Sequence, residues 1–256
     1  MFAQIIELKN KENTAVDVEN IIACYIVSLK NNGQILLEWS LVKVNGGYNI
    51  YVSTPKEDSL SGLHDSIYVK KYRQELDQYF DIYVKKIGLN AYSREYCSCT
   101  HRTAMEMQTY FEDIDSVFTC CACGKPVALY ELPYLDKQDD HYAVVNWQGI
   151  FCATDKLWLD SLSDRFTGNQ LVNVNSELSK RGREIANEIG KKAGLKVYYN
   201  VFDDFTKKVK FVKVNDRKVR LCPGCGKPMQ YAKFCDNYKE IFVCEDCLLS
   251  SDLPNE

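Results

Sequence analysis

The sequence predicts an α+β fold, with an N-terminal β-α-β-β-α domain followed by a mixed, cysteine-rich C-terminal region. Three observations carry this. Apolar spacing alternates between periods of two and 3.6 over the first ninety residues. Asn/Gly clusters punctuate those segments. Most of the twelve cysteines are grouped beyond residue 96.

The elements follow in order. Phe2 to Leu8 reads as a strand. Thr14 and Asp17 resemble a capping box, in which hydroxyl and carboxylate satisfy the free N–H groups of a helix start. Val18, Ile21, Ile22, Tyr25, Ile26 and Leu29 then recur at helical spacing, and Asn31-Asn32-Gly33 supplies the stop. Glu38–Val44 and Tyr48–Ser53 read as strands joined by the Asn45-Gly46-Gly47 hairpin turn. Val69, Tyr72, Leu76, Tyr79, Phe80 and Tyr83 mark one face of a second long helix, and the domain ends near Gly88.

Beyond it, residues 91–135 form a cysteine-rich knuckle region and 136–220 a helical and strand region with a basic run. Residues 221–256 read as a C-terminal ribbon built around the last two cysteine pairs. In the middle region, a short helix capped by Thr154 carries Leu157, Trp158 and Leu162. Another runs from Ser176 to Ala193, with Lys191, Lys192 and Gly194 as stop signals. Val197–Phe202 is strand-like, and Phe211–Leu221 reads as one extended segment leading into the C-terminal cysteines.

Composition is that of an ordinary globular chain, with 46% hydrophobic and 26% charged residues. The longest uncharged apolar stretch, Asn20–Leu29, falls well short of the roughly 20 residues a spanning helix needs. No basic segment followed by an apolar run opens the chain, so a cytoplasmic location is expected. In that reducing compartment, clustered cysteines point to metal binding, not disulfides.

The net charge of −3 hides an asymmetry. Residues 1–179 carry 16 basic and 24 acidic groups (−8), residues 180–233 carry 15 and 5 (+10), and residues 234–256 carry 1 and 6 (−5).

One motif repeats. Cys120-Cys-Ala-Cys-Gly-Lys-Pro recurs as Cys222-Pro-Gly-Cys-Gly-Lys-Pro, a shared C-x2-C-G-K-P. The Cys222/Cys225 pair is followed after 18 residues by Cys244/Cys247, the spacing of a zinc ribbon. Two thiolates three positions apart occupy two corners of a tetrahedron, and the glycines let backbone amides face the sulfurs. Four thiolates leave no open position, so the expected zinc is structural.

A second zinc is expected at Cys97, Cys99, Cys120 and Cys123. Cys121 is an alternative there to Cys120, and His101 to Cys97 or Cys99. Cys24, Cys152 and Cys235 read as packing residues.

The chain resembles a group of bacterial proteins described as containing a zinc ribbon and suggested to bind nucleic acid. The resemblance rests on Cys123-Gly-Lys-Pro-Val-Ala-Leu-Tyr-Glu-Leu-Pro133, Asp155-Lys-Leu-Trp158, Ser176-Glu-Leu-Ser-Lys-Arg-Gly-Arg-Glu-Ile185, Val197-Tyr-Tyr199 and Phe242-x-Cys-x-x-Cys-Leu-Leu-Ser250. Leu248 departs from the basic residue common after the last cysteine in such proteins.

A recognition role is the favoured expectation, with nucleic acid the first partner considered. Lys207, Lys208, Lys210, Lys213, Arg217, Lys218 and Arg220 form a basic run suited to phosphates, and Arg181 and Arg183 add a second candidate contact. Tyr198, Tyr199, Phe211, Tyr231 and Phe234 are candidates for stacking on unpaired bases.

The alternative is a protein partner, for instance an immunity protein whose acidic N-terminal domain neutralises a bacterial toxin. Catalysis is not expected. His64, His101 and His141 stand in no catalytic motif, and His141 reads as part of a polar loop. Gly182 reads as a close-packing glycine within a helix, the alternative being a phosphate-binding turn.

Overall fold

The computed structural model describes residues 1–11, 18–91, 93–135, 139–202, 211–214, 217–235 and 240–252. Two compact units are present. The first comprises Met1–Tyr96, Ile114–Ser116 and Pro126–Val145, and the second Cys97–Asp113, Val117–Lys125 and Asn146–Glu256.

The first unit is built from β1 (Phe2–Asn10), α1 (Glu19–Asn32), β2 (Trp39–Val44), β3 (Gly47–Thr54), α2 (Ile67–Leu76) and β4 (Phe80–Leu89). Its antiparallel sheet has the order β2-β3-β1-β4. With the β-α-β-β-α-β succession, this is the ferredoxin-like split arrangement. Ile6, Leu8, Ile50 and Val52 bury one sheet face against Ile22, Tyr25, Ile26 and Leu29 of α1 and Val69 and Leu76 of α2.

Gly33 closes α1 in the left-handed region at φ 74°, and its amide and that of Gln34 bond back to Lys30 and Leu29. The Thr14/Asp17 box lies outside the described residues. At the start of the described helix, Val18 offers no side-chain cap.

The expected second long helix is corrected. It stops at Leu76, and Phe80–Leu89 is a strand paired with β1 along its length. The apolar residues from Val69 to Tyr83 have a spacing that serves a helix first and a strand afterwards. Long-range pairing with β1 decides the second part.

The second unit holds β5 (Ala104–Met107), β6 (Phe118–Cys120), α4 (Asp164–Val172), α5 (Glu177–Ala193) and β7 (Lys196–Asn200). It also holds β8 (Phe211–Val214), β9 (Arg217–Arg220), β10 (Gln230–Ala232), β11 (Ile241–Cys244) and β12 (Leu249–Asp252). Helix α3 (Tyr142–Leu159) precedes α4 in the chain. Six strands make one mixed sheet in the order β10-β11-β12-β7-β5-β6, with β7 parallel to both β12 and β5.

Three further expectations are corrected here. The helix expected to begin at Thr154 begins at Tyr142, and the Thr154 hydroxyl bonds the Ile150 carbonyl from inside it. Helix α4 was not anticipated. Phe211–Leu221 is not one extended segment, because β8 and β9 pair as an antiparallel hairpin, Phe211 opposite Arg220 and Val214 opposite Arg217.

Helix α5 matches its expectation. Ser176 caps it by accepting the Ser179 amide, and Gly194 ends it at φ 68°. Gly182 permits close packing, since a Cβ there would lie 2.5 Å from Tyr199 and 2.8 Å from Trp147. No helix among the described residues is long and apolar enough to cross a membrane.

His141 is not in an exposed polar loop. It is wholly buried in the first unit, its ring 4.9 Å from that of Tyr134, and neither ring nitrogen meets a partner at hydrogen-bonding geometry among the described residues. Burial lowers its pKa to about 4, although the backbone of Leu129 and Leu132 favours the cation.

A histidine whose folded pKa lies below its unfolded value of about 6.5 costs nothing above that pH. It destabilises progressively as the pH falls from there to about 4. Urea unfolding at pH 7 and pH 5 is expected to show wild type losing about 2 kcal/mol more than His141→Gln over that interval. Equal losses would show that His141 does not titrate in this window.

Candidate metal centres

Two groups of four cysteines converge. Within Cys97, Cys99, Cys120 and Cys123, and within Cys222, Cys225, Cys244 and Cys247, all sulfurs lie within 4.8 Å of one another. A tetrahedral ion with metal–sulfur bonds of about 2.3 Å requires sulfurs about 3.8 Å apart. The Cys225–Cys244 separation is 3.7 Å. Both sets therefore fit a single metal ion such as zinc, and four thiolates complete its coordination.

The repeated motif folds the same way twice. The Cys120 amide bonds the Lys125 carbonyl at 2.9 Å, and the Gly124 amide bonds the Cys120 carbonyl at 2.8 Å. In the second copy, Cys222 bonds Lys227 and Gly226 bonds Cys222, both at 2.8 Å. Gly124 and Gly226 adopt φ 71° and 73°, a left-handed conformation that costs glycine little.

This turn aims amides at sulfur. The Gly224 amide lies 3.3 Å from Cys222 Sγ, and the Lys125 and Lys227 amides bond the thiolates of Cys123 and Cys225. On the other half of the first cluster, the Cys99 amide lies 3.4 Å from Cys97 Sγ.

Both clusters belong to one sheet. Cys120 ends β6 opposite Met105, and Cys244 ends β11 opposite Leu249. Through these registers Cys120 lies level with Val197 of β7, and Cys244 lies level with Tyr199 two residues further along.

The two residues between Cys244 and Cys247 anchor that turn. Glu245 accepts the Tyr198 hydroxyl at 2.6 Å and pairs with Lys196 on β7, while Asp246 pairs with Lys227 at 2.6 Å. The Glu245 carboxyl is held low, chiefly by Lys196 and then by Tyr198.

Electrostatics favour a cation at each cluster. Burial and the neighbouring thiols push Cys123 and Cys247 well up, and Cys244 up to about 11. Four sulfurs this close cannot all ionise without a positive partner, so metal uptake displaces protons.

Cys97 differs. Burial opposes its thiolate, but the Arg102 side chain and the Cys99 amide outweigh that and bring it down to about 7. Sequence reasoning missed Arg102, which belongs to no motif. Its only signal is a position three residues beyond Cys99.

The open ligand choices close. Cys121 is buried in the apolar cluster with Ala104, Tyr198, Ile241 and Val243, and Cys235 packs against the same cluster. His101 is exposed and is not one of the four converging residues. Cys24 and Cys152 are half-buried, and Cys152 donates to the Tyr110 carbonyl.

Among the described residues, the basic candidates fall in different settings. Lys207, Lys208 and Lys210 lie outside the described residues. Lys213 is exposed on β8 and stands opposite Lys218 in the hairpin register. Arg217 pairs with Val214 in the same register.

Arg220 is corrected. It is buried and donates to the Ser251 hydroxyl on β12, so it is an internal group, not a phosphate contact. Arg181 is exposed, whereas Arg183 is half-buried and bonds the Val174 carbonyl. Tyr198 and Tyr199 are each 2% exposed and cannot stack on a base, while Tyr231 is 46% exposed.

Comparison with known proteins gives related stretches. Residues 1–87 match a family described as a domain of unknown function (DUF8589), and residues 99–202 match a domain of unknown function (DUF2310). A second Haemophilus influenzae relative, described as an uncharacterized protein, is 29% identical over 135 residues. That match covers 50% of this chain and 60% of the relative, so the chain spans about three-fifths of its length. Over nearly its whole length the chain is similar to another Haemophilus influenzae protein, also described as uncharacterized, at 24% identity over 94% of this chain and 93% of that protein.

Proposed function

We propose that this chain is a non-catalytic zinc-ribbon protein that binds nucleic acid, each cysteine cluster holding one structural zinc ion. The closed four-sulfur donor set carries the metal reading. Thiolates select zinc or iron in tetrahedral sites, and a filled coordination sphere leaves no position for water or substrate. Zinc supplies rigidity there, and the surface around it supplies recognition.

The hairpin register supports a polyanionic partner. Lys213 stands directly opposite Lys218. Two lysines at opposed register positions add positive charge to the hairpin, and phosphates bind such charge. Fluorescence anisotropy with single-stranded DNA and RNA across a salt series tests this. Binding is expected to weaken steeply with salt, and the Lys213→Ala/Lys218→Ala variant is expected to reduce the log–log slope by about 1.4. Salt-independent binding, or none, would overturn the reading.

A protein partner is the second reading. It is favoured by apolar side chains exposed on the first unit, including Trp39 at 41%, Val42 at 42% and Ile87 at 58%. An inhibitor of a toxin is one form of it. A complex captured from lysate that keeps fixed stoichiometry through nuclease and high salt would support this second reading over the first.

A further inference from the structure

The two clusters share a turn but not its shelter. In the first, Cys97 and Cys120 are buried, Cys99 and Cys123 are half-buried, and the Arg102 side chain hydrogen-bonds Cys97. In the second, Cys225 is exposed, alone among the eight converging cysteines. Its sulfur also has a close thiol neighbour, Cys244 Sγ at 3.7 Å. Susceptibility to oxidation follows thiolate character and exposure, and a nearby second thiol resolves the first product.

We infer that Cys225 is an oxidation site at which a hydroperoxide enters the C-terminal cluster and expels its metal. The inference rests on the reading that the cluster holds zinc.

The chemistry balances with hydrogen peroxide as the oxidant. The Cys225 thiolate attacks one peroxide oxygen, the O–O bond breaks, and sulfenic acid and hydroxide form. The Cys244 thiolate then attacks the Cys225 sulfur, the S–O bond breaks, and a second hydroxide leaves as the disulfide forms. Two thiolates have lost two electrons to one peroxide. The ion retains only Cys222 and Cys247 and dissociates as the divalent cation.

The consequence reaches beyond the metal. Glu245 of the Cys244–Cys247 turn and Leu248 just beyond it line a groove of about 750 Å³ with Lys196, Tyr198 and Phe234. Glu245 is held by Lys196 and Tyr198 of β7. Loss of the ion releases the turn that shapes one wall of that groove.

The test uses the full chain loaded with two zinc equivalents and treated with hydrogen peroxide. Release is followed by a chromophoric chelator, and free thiols are then blocked with iodoacetamide for peptide mapping. One equivalent is expected to leave about ten-fold faster than the other, with a Cys225–Cys244 disulfide, and dithiothreitol with zinc is expected to restore it. Loss of both ions at one rate, or a first disulfide lacking Cys225, would overturn the proposal.

A chain that takes up no zinc defeats the metal reading instead. Iodoacetamide alone then decides the oxidation site, and Cys225 must still be the first of the eight to react. Where Cys225→Ser retains zinc, it is expected to resist peroxide about ten-fold longer. Mapping of the wild type decides where that variant does not load.

Discussion

Replacing both Cys222 and Cys244 by serine is expected to remove one of two zinc equivalents and to melt β10, β11 and β12 while the first unit stays folded. These strands are only three or four residues long, and β12 joins β7 through two residue pairs, Leu249–Tyr199 and Ser250–Asn200. Their apolar support is small, centred on Ile241, Val243 and Tyr198. Structural zinc contributes an apparent binding free energy on the order of 10–16 kcal/mol, far above what so short a ribbon gains from packing. Hydrogen exchange with metal analysis of the same sample provides the check. Backbone amides from Gln230 to Asp252 should lose protection, whereas those of β1 and β3 should keep it. Retained protection with two zinc ions per chain would mean the metal is held elsewhere.

A second large effect is expected in the first unit, where Arg73→Met should cost about 3–5 kcal/mol. Arg73 reaches Asp65 by two hydrogen bonds, Nε to Oδ2 at 2.7 Å and Nη2 to Oδ1 at 3.0 Å. The Asp65 side chain is only 2% exposed, against 22% for Arg73. Gln34 also donates to Asp65, and Arg73 donates to the Leu60 carbonyl. Methionine would leave a carboxylate enclosed without its cation. Asp65→Asn should cost less, because the more exposed guanidinium can turn to water. Adding Asp65→Asn to Arg73→Met should recover part of the loss. Urea unfolding of the three variants decides, and equal costs for the two single variants would contradict the asymmetry.

Local chemistry explains what the sequence made legible. The Gly33 and Gly194 caps, the Asn45-Gly46-Gly47 hairpin and both C-x2-C-G-K-P turns are set by residues within a few positions of one another. Each was readable from residue type alone. The cysteine sets were readable too, because a tetrahedral ion fixes spacing. The reassignment of Phe80–Leu89 depended on pairing with β1, some eighty residues earlier, which no local pattern records. Helix α3 was misread because Trp147 and Phe151 make its first half apolar without a clear polar face. Burial of Arg220, Tyr198 and Tyr199 came from tertiary packing that overrides their usual surface preference.

The parallel placement of β7 between β5 and β12 bears on how the chain is made. During synthesis, Cys97 to Cys123 emerge as one continuous stretch, so the first thiolate set can close before β7 exists. The second set cannot join the sheet until β12 has left the ribosome, because β12 is the strand that docks it. A metal taken up during translation would therefore act twice on each molecule. It would act first on a short local loop, and later on the register of a sheet whose two halves were made far apart in time.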